Sequence, residues 1–163
     1  MIFKKNRMRQ KMKRNLICVR GAGDTGKTTA LRRIMNILIK KGAKVFKWFE
    51  PTDRDEHTVN GDFMAILEYK SLKIGFKTQC DPTFEKYVIN AIKVFIEIDC
   101  ELVLCASRTR GRTCGAVAMF DKEYDINWFS TKQGTYIDQE ALWNAVEKTI
   151  DTILKSKKIS PMY

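Results

Sequence analysis

A glycine-rich segment near the start of the chain carries residue types that bind phosphate. Two glycines, Gly21 and Gly26, are separated by four residues and are followed directly by a lysine and two threonines. Glycine lets successive peptide N–H groups turn towards an anion, because a Cβ at the tightest positions would obstruct the curl. The spacing therefore predicts a phosphate-binding loop made of Gly21, Ala22, Gly23, Asp24, Thr25, Gly26, Lys27, Thr28 and Thr29.

Lys27 and Thr28 have different roles in this prediction. Lys27 is a compact cation suited to the β- and γ-phosphates, and Thr29 can reach a further phosphate oxygen. Thr28 offers a hydroxyl oxygen, the type of ligand that Mg²⁺ prefers. The expected cofactors are thus a nucleoside triphosphate and Mg²⁺. ATP is expected rather than GTP, because no Asn-Lys-x-Asp-like tetrad follows a late strand.

Strand and helix signals flank this loop. Residues 16–19 form a short apolar run before it. After it, apolar residues repeat at helical spacing through residue 38, and Gly42 is placed to end that helix. A strand, a glycine loop and a helix therefore follow one another, and the helix adds its unpaired N–H groups and positive dipole end to the phosphate site.

In this context the loop resembles the phosphate-binding loop of the P-loop NTPase superfamily. The resemblance is sharp over residues 16–40 and only architectural beyond them. It implies binding of a magnesium nucleoside triphosphate, and it assigns no individual family within the superfamily.

The rest of the chain alternates strand and helix patterns. Strands are expected at residues 45–49, 63–69, 73–78, 101–106 and 126–129. A helix is expected after the cap Asp81 and another after the cap Asp138. Because such alternation implies parallel crossovers, the fold class is α/β with a mainly parallel sheet flanked by helices. Residues 63–69 and 73–78 flank residues 71–72 as a hairpin, which would add one antiparallel strand.

One nucleotide-binding domain accounts for residues 16–158, preceded by a basic segment at 1–15 and followed by a tail at 159–163. The chain has 163 residues and a net charge of +11. This length suits about one domain, and its apolar content suits a sizeable core.

The resemblance requires a carboxylate that supports Mg²⁺, and several acids are candidates. Asp81 is favoured as both a catalytic and a metal-supporting residue because it lies past the carboxyl end of an expected strand. It fits equally well as a plain helix N-cap. Glu50, after the second strand, and Glu68, inside the hairpin, are the alternatives.

A basic loop follows the strand expected at 101–106. Arg108, Arg110 and Arg112 alternate with other residues there, and guanidinium groups suit phosphoryl oxygens. Arg108 or Arg110 could add positive charge to a phosphoryl group in transfer, like lid arginines in small kinases. The alternative is a solvated basic loop without a chemical role.

The basic segment and the cysteines suggest partners and location. Residues 4–14 hold seven basic and no acidic residues, which permits nucleic-acid binding or a solvated tail. The five cysteines include no Cys-x-x-Cys pair, so a disulfide framework and a zinc site are not expected. A cytoplasmic location is expected, with no membrane span, and the oligomeric state is not indicated.

These features favour a kinase-like phosphotransferase that uses Mg-ATP. The alternatives are an ATPase stimulated by a partner and a nucleotide-dependent nucleic-acid-binding module.

Overall fold

A mixed sheet with helices on both faces forms the fold. The computed structural model describes residues 13–22, 25–50, 61–79, 85–109, 111–131 and 135–159. Within these ranges the strands are β1 (Arg14–Arg20), β2 (Lys44–Glu50), β3 (Met64–Tyr69), β4 (Leu72–Lys77), β5 (Leu102–Ser107) and β6 (Tyr124–Ser130). The helices are α1 (Lys27–Lys40), α2 (Glu85–Ile98), α3 (Arg112–Ala118) and α4 (Gln139–Ile159). In the same ranges, no helix is both long and apolar enough to cross a membrane.

The strands lie in the order β2-β3-β4-β5-β1-β6. β1 is parallel to β5 and β6, and β4 is parallel to β5. β3 is antiparallel to both of its neighbours, β2 and β4. The predicted α/β class, with a mainly parallel sheet and one antiparallel hairpin strand, is therefore confirmed.

Alternate side chains of the strands bury against different helices. Ile17 and Val19 of β1 belong to the core beneath α1 and α4, whereas Leu16 and Cys18 belong to the core beneath α2 and α3. Because β1 is covered on both faces, it reads as the continuous apolar run seen in the sequence. The α1 crossover leads towards β2 over one face, and the α2 crossover leads the opposite way over the other face. Both crossovers thus have the same hand.

Two helix ends have the caps that the sequence predicts. Gly42 has φ 110° after α1, and the N–H of Ala43 donates to the Leu38 carbonyl at 2.9 Å, which is a Schellman C-cap. At the start of α4, the Asp138 carboxylate accepts the N–H of Ala141 at 3.0 Å. Gly42 and Asp138 are confirmed as the residues that stop one helix and start another.

The hairpin turn lies one residue earlier than expected. Lys70 and Ser71 have φ 51° and 67°, and Tyr69 pairs with Leu72 across the turn. The expected linker at residues 71–72 is wrong at Leu72, which opens β4 and is fully buried. Burial of this apolar side chain fixes the register, although two non-glycine residues must then adopt a left-handed turn.

The antiparallel strand brings a different part of the chain to the end of the sheet where the parallel strands finish. The parallel strands all finish at one end of the sheet, here called the carboxyl end. Because β3 runs the other way, its first residue, Met64, lies there beside Lys77 of β4 and Glu50 of β2. Asp62 and Phe63, just before β3, are consequently at the carboxyl end as well.

Candidate functional site

The glycine loop begins at the end of β1, an interior strand of the sheet, and leaves no room for a side chain at Gly21. The Gly21 N–H donates to the Ser107 carbonyl at 3.1 Å, which ties the loop to β5. A Cβ placed on Gly21 would lie 2.5 Å from Thr131 Oγ1 and 3.1 Å from Thr25 Oγ1. The sequence prediction of a tight glycine position is thus matched by a close approach. Residues 23–24 of the predicted loop lie outside the described residues.

The start of α1 faces the loop. Gly26 is its N-cap residue, has φ 80°, and has no side chain with which to cap the helix. Its carbonyl accepts the N–H of Ala30 at 2.9 Å, the first bond of the helix. The first turn of α1 contains no acidic residue. The N–H groups and positive dipole end of the first turn are therefore suited to an external anion.

The Lys27 side chain folds back into the loop. It is only 6% exposed, and its Nζ donates to the carbonyls of Gly21 at 2.8 Å and Ala22 at 2.6 Å. Thr25 Oγ1 donates to the same Ala22 carbonyl at 2.9 Å. The loop thus curls around one ammonium group, which places a buried positive charge at its centre.

A carboxylate that the sequence analysis did not select meets the predicted magnesium ligand. Thr28 Oγ1 donates to Asp62 Oδ1 at 2.8 Å, and Thr78 Oγ1 donates to the same oxygen at 3.0 Å. The Phe63 N–H in turn donates to Thr78 Oγ1 at 2.8 Å, which fixes the threonine. The signal for Asp62 was present: a predicted antiparallel strand must begin where the parallel strands end. Thr29, the last residue of the predicted loop, is exposed on α1.

The three acids named from the sequence have different locations. Asp81 lies outside the described residues, so its role stays a prediction. Glu68 is exposed near the end of β3, opposite Lys44 and Lys73, and is therefore at the far end of the sheet from the loop. Glu50 lies at the carboxyl end, where its Oε1 accepts Lys77 Nζ at 2.5 Å. Of the two acids that the structure describes, Glu50 is thus the one at the loop's end of the sheet.

The basic segment after β5 is shorter than expected. Arg108 follows the strand directly and is half-buried, and its N–H donates to Thr113 Oγ1 at 3.4 Å. Arg112 is already the first residue of α3 and is exposed. Arg110 lies outside the described residues. The end of β5 lies beside the loop. Of the arginines that the structure describes in this segment, Arg108 is the nearest in sequence to that end.

Two buried thiols lie beneath the loop on neighbouring strands. Cys18 of β1 is in register with Cys105 of β5, and its thiol donates to Ser107 Oγ at 3.4 Å. The hydrogen bond with Cys105 lowers the pKa of Cys18 most, and burial opposes this. The Ser107 contact and the charges of Arg20 and Lys27 lower that pKa further. Arg20 and Lys27 are thus charged groups that act on this buried thiol.

The segment between β6 and α4 closes the other side of the loop. The Thr131 N–H donates to the Arg20 carbonyl at 3.0 Å, and the Ile137 N–H donates to the Thr25 carbonyl at 3.1 Å. Tyr136 is 77% exposed, and its Cδ1 would lie 3.4 Å from a Cβ on Gly26. Sequence reasoning missed this contribution, because nothing local to Thr131, Tyr136 or Ile137 indicates that they lie beside the glycine loop.

Comparisons with known proteins add no relative: no protein-family model matches the chain, and searches of curated proteins and of solved structures return no match. The residues of the site itself are therefore the basis for its chemistry.

Proposed function

We propose that this chain has a P-loop NTPase-like fold and binds a magnesium nucleoside triphosphate at residues 21–29 for phosphoryl transfer or hydrolysis. The observation that carries the proposal is the hydrogen bond from Thr28 Oγ1 to Asp62 Oδ1, 2.8 Å long, beside the buried ammonium of Lys27. This hydrogen bond joins two oxygen groups that suit Mg²⁺, the Thr28 hydroxyl and the Asp62 carboxylate, next to the proposed phosphate-binding loop.

The triphosphate would replace the protein's own carbonyls around Lys27. In the free protein the ammonium is held by the Gly21 and Ala22 carbonyls. Phosphate oxygens are stronger acceptors than carbonyls because they are charged. The first-turn N–H groups of α1 add donors that need no side chain.

The residues present fit a nucleotide-bound Mg²⁺. Among the described residues, no three His, Cys, Asp or Glu side chains form a complete metal cage. Mg²⁺ bound to phosphates needs only one or two protein oxygens and keeps several waters. Thr28 would supply its hydroxyl and Asp62 its carboxylate, while the bound ion would neutralise charge on the β- and γ-phosphates.

We infer that Lys27, inside the loop, and Arg108, directly after β5, supply positive charge to the transfer. Cationic donors fixed where charge develops lower the barrier without needing to reorganise. Arg110 has the same proposed role from the sequence pattern.

Tyr136 is the candidate neighbour of the nucleotide base. An exposed ring beside Gly26, where the loop meets α1, offers an aromatic face to a base whose phosphates lie in the loop. The proposed nucleotide is ATP rather than GTP, because no Asn-Lys-x-Asp-like tetrad follows a late strand in the sequence.

Calorimetry with Mg-ATP and Mg-GTP tests the binding proposal. Lys27→Ala should weaken affinity at least about tenfold, or about 1.4 kcal/mol. Lys40→Ala is the matched control, because Lys40 is exposed at the far end of the same helix. Failure of the wild-type protein to bind either nucleotide, or equal affinities for both variants, would refute the proposal.

A turnover assay distinguishes the reaction classes. A kinase should release ADP steeply with one class of acceptor, whereas an ATPase should hydrolyse ATP slowly alone and respond to a protein or nucleic-acid partner. Deletion of residues 1–12 would abolish a nucleic-acid response if the basic segment provides it, and would flatten its salt dependence.

A further inference from the structure

A salt bridge between Lys77 and Glu50 lies at the carboxyl end of the sheet and has no role in the site described so far. Lys77 ends β4 with its side chain only 3% exposed, and its Nζ donates to Glu50 Oε1 at 2.5 Å. The Glu50 side chain, in contrast, is 47% exposed. The pair therefore consists of a buried cation and a carboxylate that solvent and ligands can reach.

The pair lies next to the proposed magnesium ligands. Glu50, Met64 and Lys77 form one row across β2, β3 and β4. Asp62 precedes Met64 by two residues, a distance of about 7 Å along an extended chain. Neighbouring strands are about 4.8 Å apart, so the backbones of Glu50 and Asp62 are about 8–9 Å from each other.

The buried ammonium of Lys77 holds the Glu50 carboxylate in position. An ammonium out of water is costly, and an apolar residue of similar volume often serves stability as well or better. The Lys77 ammonium has three N–H donors. Within the described ranges, the hydrogen bond that it donates goes to Glu50. That bond engages Oε1, and the half-exposed Glu50 side chain has a second carboxylate oxygen, Oε2.

We propose that Glu50 Oε2 accepts the proton of a hydroxyl nucleophile that attacks the γ-phosphate, with Lys77 as its positioning residue. This inference rests on the proposed function. As the nucleophile oxygen forms a bond to the γ-phosphorus, its O–H bond breaks and the proton passes to Oε2. The bond from the γ-phosphorus to the bridging oxygen breaks, and its electron pair leaves with the nucleoside diphosphate.

Charge defines the class of acceptor. Asp62 and Glu50 present two exposed carboxylates at this end of the sheet. Like charges within a few ångströms repel, so an anionic acceptor is disfavoured there. A neutral hydroxyl, from water or from an alcohol, can instead donate a hydrogen bond to Glu50.

Single-turnover ATP hydrolysis with protein in excess tests the inference, alongside Mg-ATP affinity by calorimetry. Glu50→Gln should lower the hydrolysis rate at least about 100-fold and leave affinity unchanged within about threefold. Glu50→Gln leaves the buried ammonium of Lys77 without a carboxylate partner. The double variant Glu50→Gln/Lys77→Met removes both charges, so the test stays valid if the single variant unfolds. It should show the same loss of rate.

The matched control is the pair at the opposite end of the sheet. Lys157 Nζ donates to Glu101 Oε1 at the same distance, 2.5 Å. Glu101→Gln/Lys157→Met should therefore leave both rate and affinity at the wild-type values. Reactions in water alone and with added glycerol distinguish the two hydroxyl sources, because only transfer to an alcohol yields a phosphorylated product.

The outcomes separate this inference from the proposed function. If the double variant Glu50→Gln/Lys77→Met hydrolyses ATP at the wild-type rate, the pair is merely structural and the inference fails. It fails also if the wild-type protein binds Mg-ATP but transfers phosphate to neither water nor glycerol. If the wild-type protein binds no Mg-ATP at all, the proposed function itself fails.

Discussion

Thr28 and Asp62 are 34 residues apart in the sequence, yet their side-chain oxygens lie 2.8 Å apart. Thr28 is in the first turn of α1, and Asp62 precedes the antiparallel strand β3, three strands away from β1 in the sheet. The contact exists because β3 runs against its neighbours and so begins where they end. It gives the glycine loop a carboxylate that the parallel strand β5 does not provide.

Asp62→Asn should reduce the benefit of Mg²⁺ to ATP binding. Asparagine keeps an oxygen that can accept the Thr28 hydroxyl but loses the negative charge that supports the ion. We expect the ratio of ATP affinities with and without Mg²⁺ to fall at least about tenfold, measured by calorimetry. The control is Asp125→Asn, an exposed aspartate on β6. An unchanged ratio in Asp62→Asn would exclude this carboxylate from the metal site.

Gly21→Ala should destabilise the fold through Thr131. The new Cβ would lie 2.5 Å from Thr131 Oγ1, so one of the two segments must move. Overpacking of this kind costs about 1–3 kcal/mol, which urea unfolding can measure. Adding Thr131→Ala should recover at least half of that loss. Purely additive effects would show that the two residues do not collide.

Two glycines in the described structure form a matched pair for a second stability test. A Cβ on Gly75 would lie 2.8 Å from the Phe95 ring, whereas a Cβ on Gly115, in α3, would meet nothing within 4 Å. Gly75→Ala should therefore cost about 1–3 kcal/mol. Gly115→Ala should stabilise the helix by about 0.5–1 kcal/mol. Thermal or urea unfolding that gives both changes the same sign would contradict the packing of α2 on β4.

The hairpin turn offers a stabilising substitution. Lys70 and Ser71 both have positive φ values, 51° and 67°, which suit a type I′ turn but cost side chains strain. The double change Lys70→Asn/Ser71→Gly supplies the residues that this turn prefers and should raise the free energy of unfolding by about 1 kcal/mol. A decrease would mean that the turn has another geometry.

Stability should fall at alkaline pH because of Cys100. Burial raises the pKa of this thiol from 9.0 to about 12. Since the thiol ionises more readily in the unfolded chain, its contribution is complete below pH 9 and is lost as pH rises towards 12. The expected slope is about 1.4 kcal/mol per pH unit for one proton.

Urea unfolding between pH 9 and pH 11 measures that slope. Cys100→Ala should flatten it. Tyr124 acts in the same direction at higher pH, because burial also raises its pKa. Its hydroxyl donates to the Cys100 carbonyl at 3.1 Å. Identical slopes in the wild-type protein and in Cys100→Ala would contradict this assignment.

Local patterns in the sequence were sufficient for most of the elements, although the short helix α3 was not among those predicted. The helical stripe before Gly42, the cap at Asp138 and the apolar run of β1 each depend on neighbours in sequence, and each matches the structure. The turn at residues 70–71 was misplaced because neither residue is one that a tight turn prefers, and burial of Leu72 decided the register instead.

The glycine loop, its lysine and its threonine could be predicted from the sequence, because they are neighbours within a few residues. The partners of that loop depend on the tertiary structure. Asp62 and Thr131 contact residues of the loop or beside it from distant parts of the chain, and Glu50 lies at the same end of the sheet. Their positions follow from strand order and direction, which are set by packing of the whole sheet and leave no mark on the residues nearby.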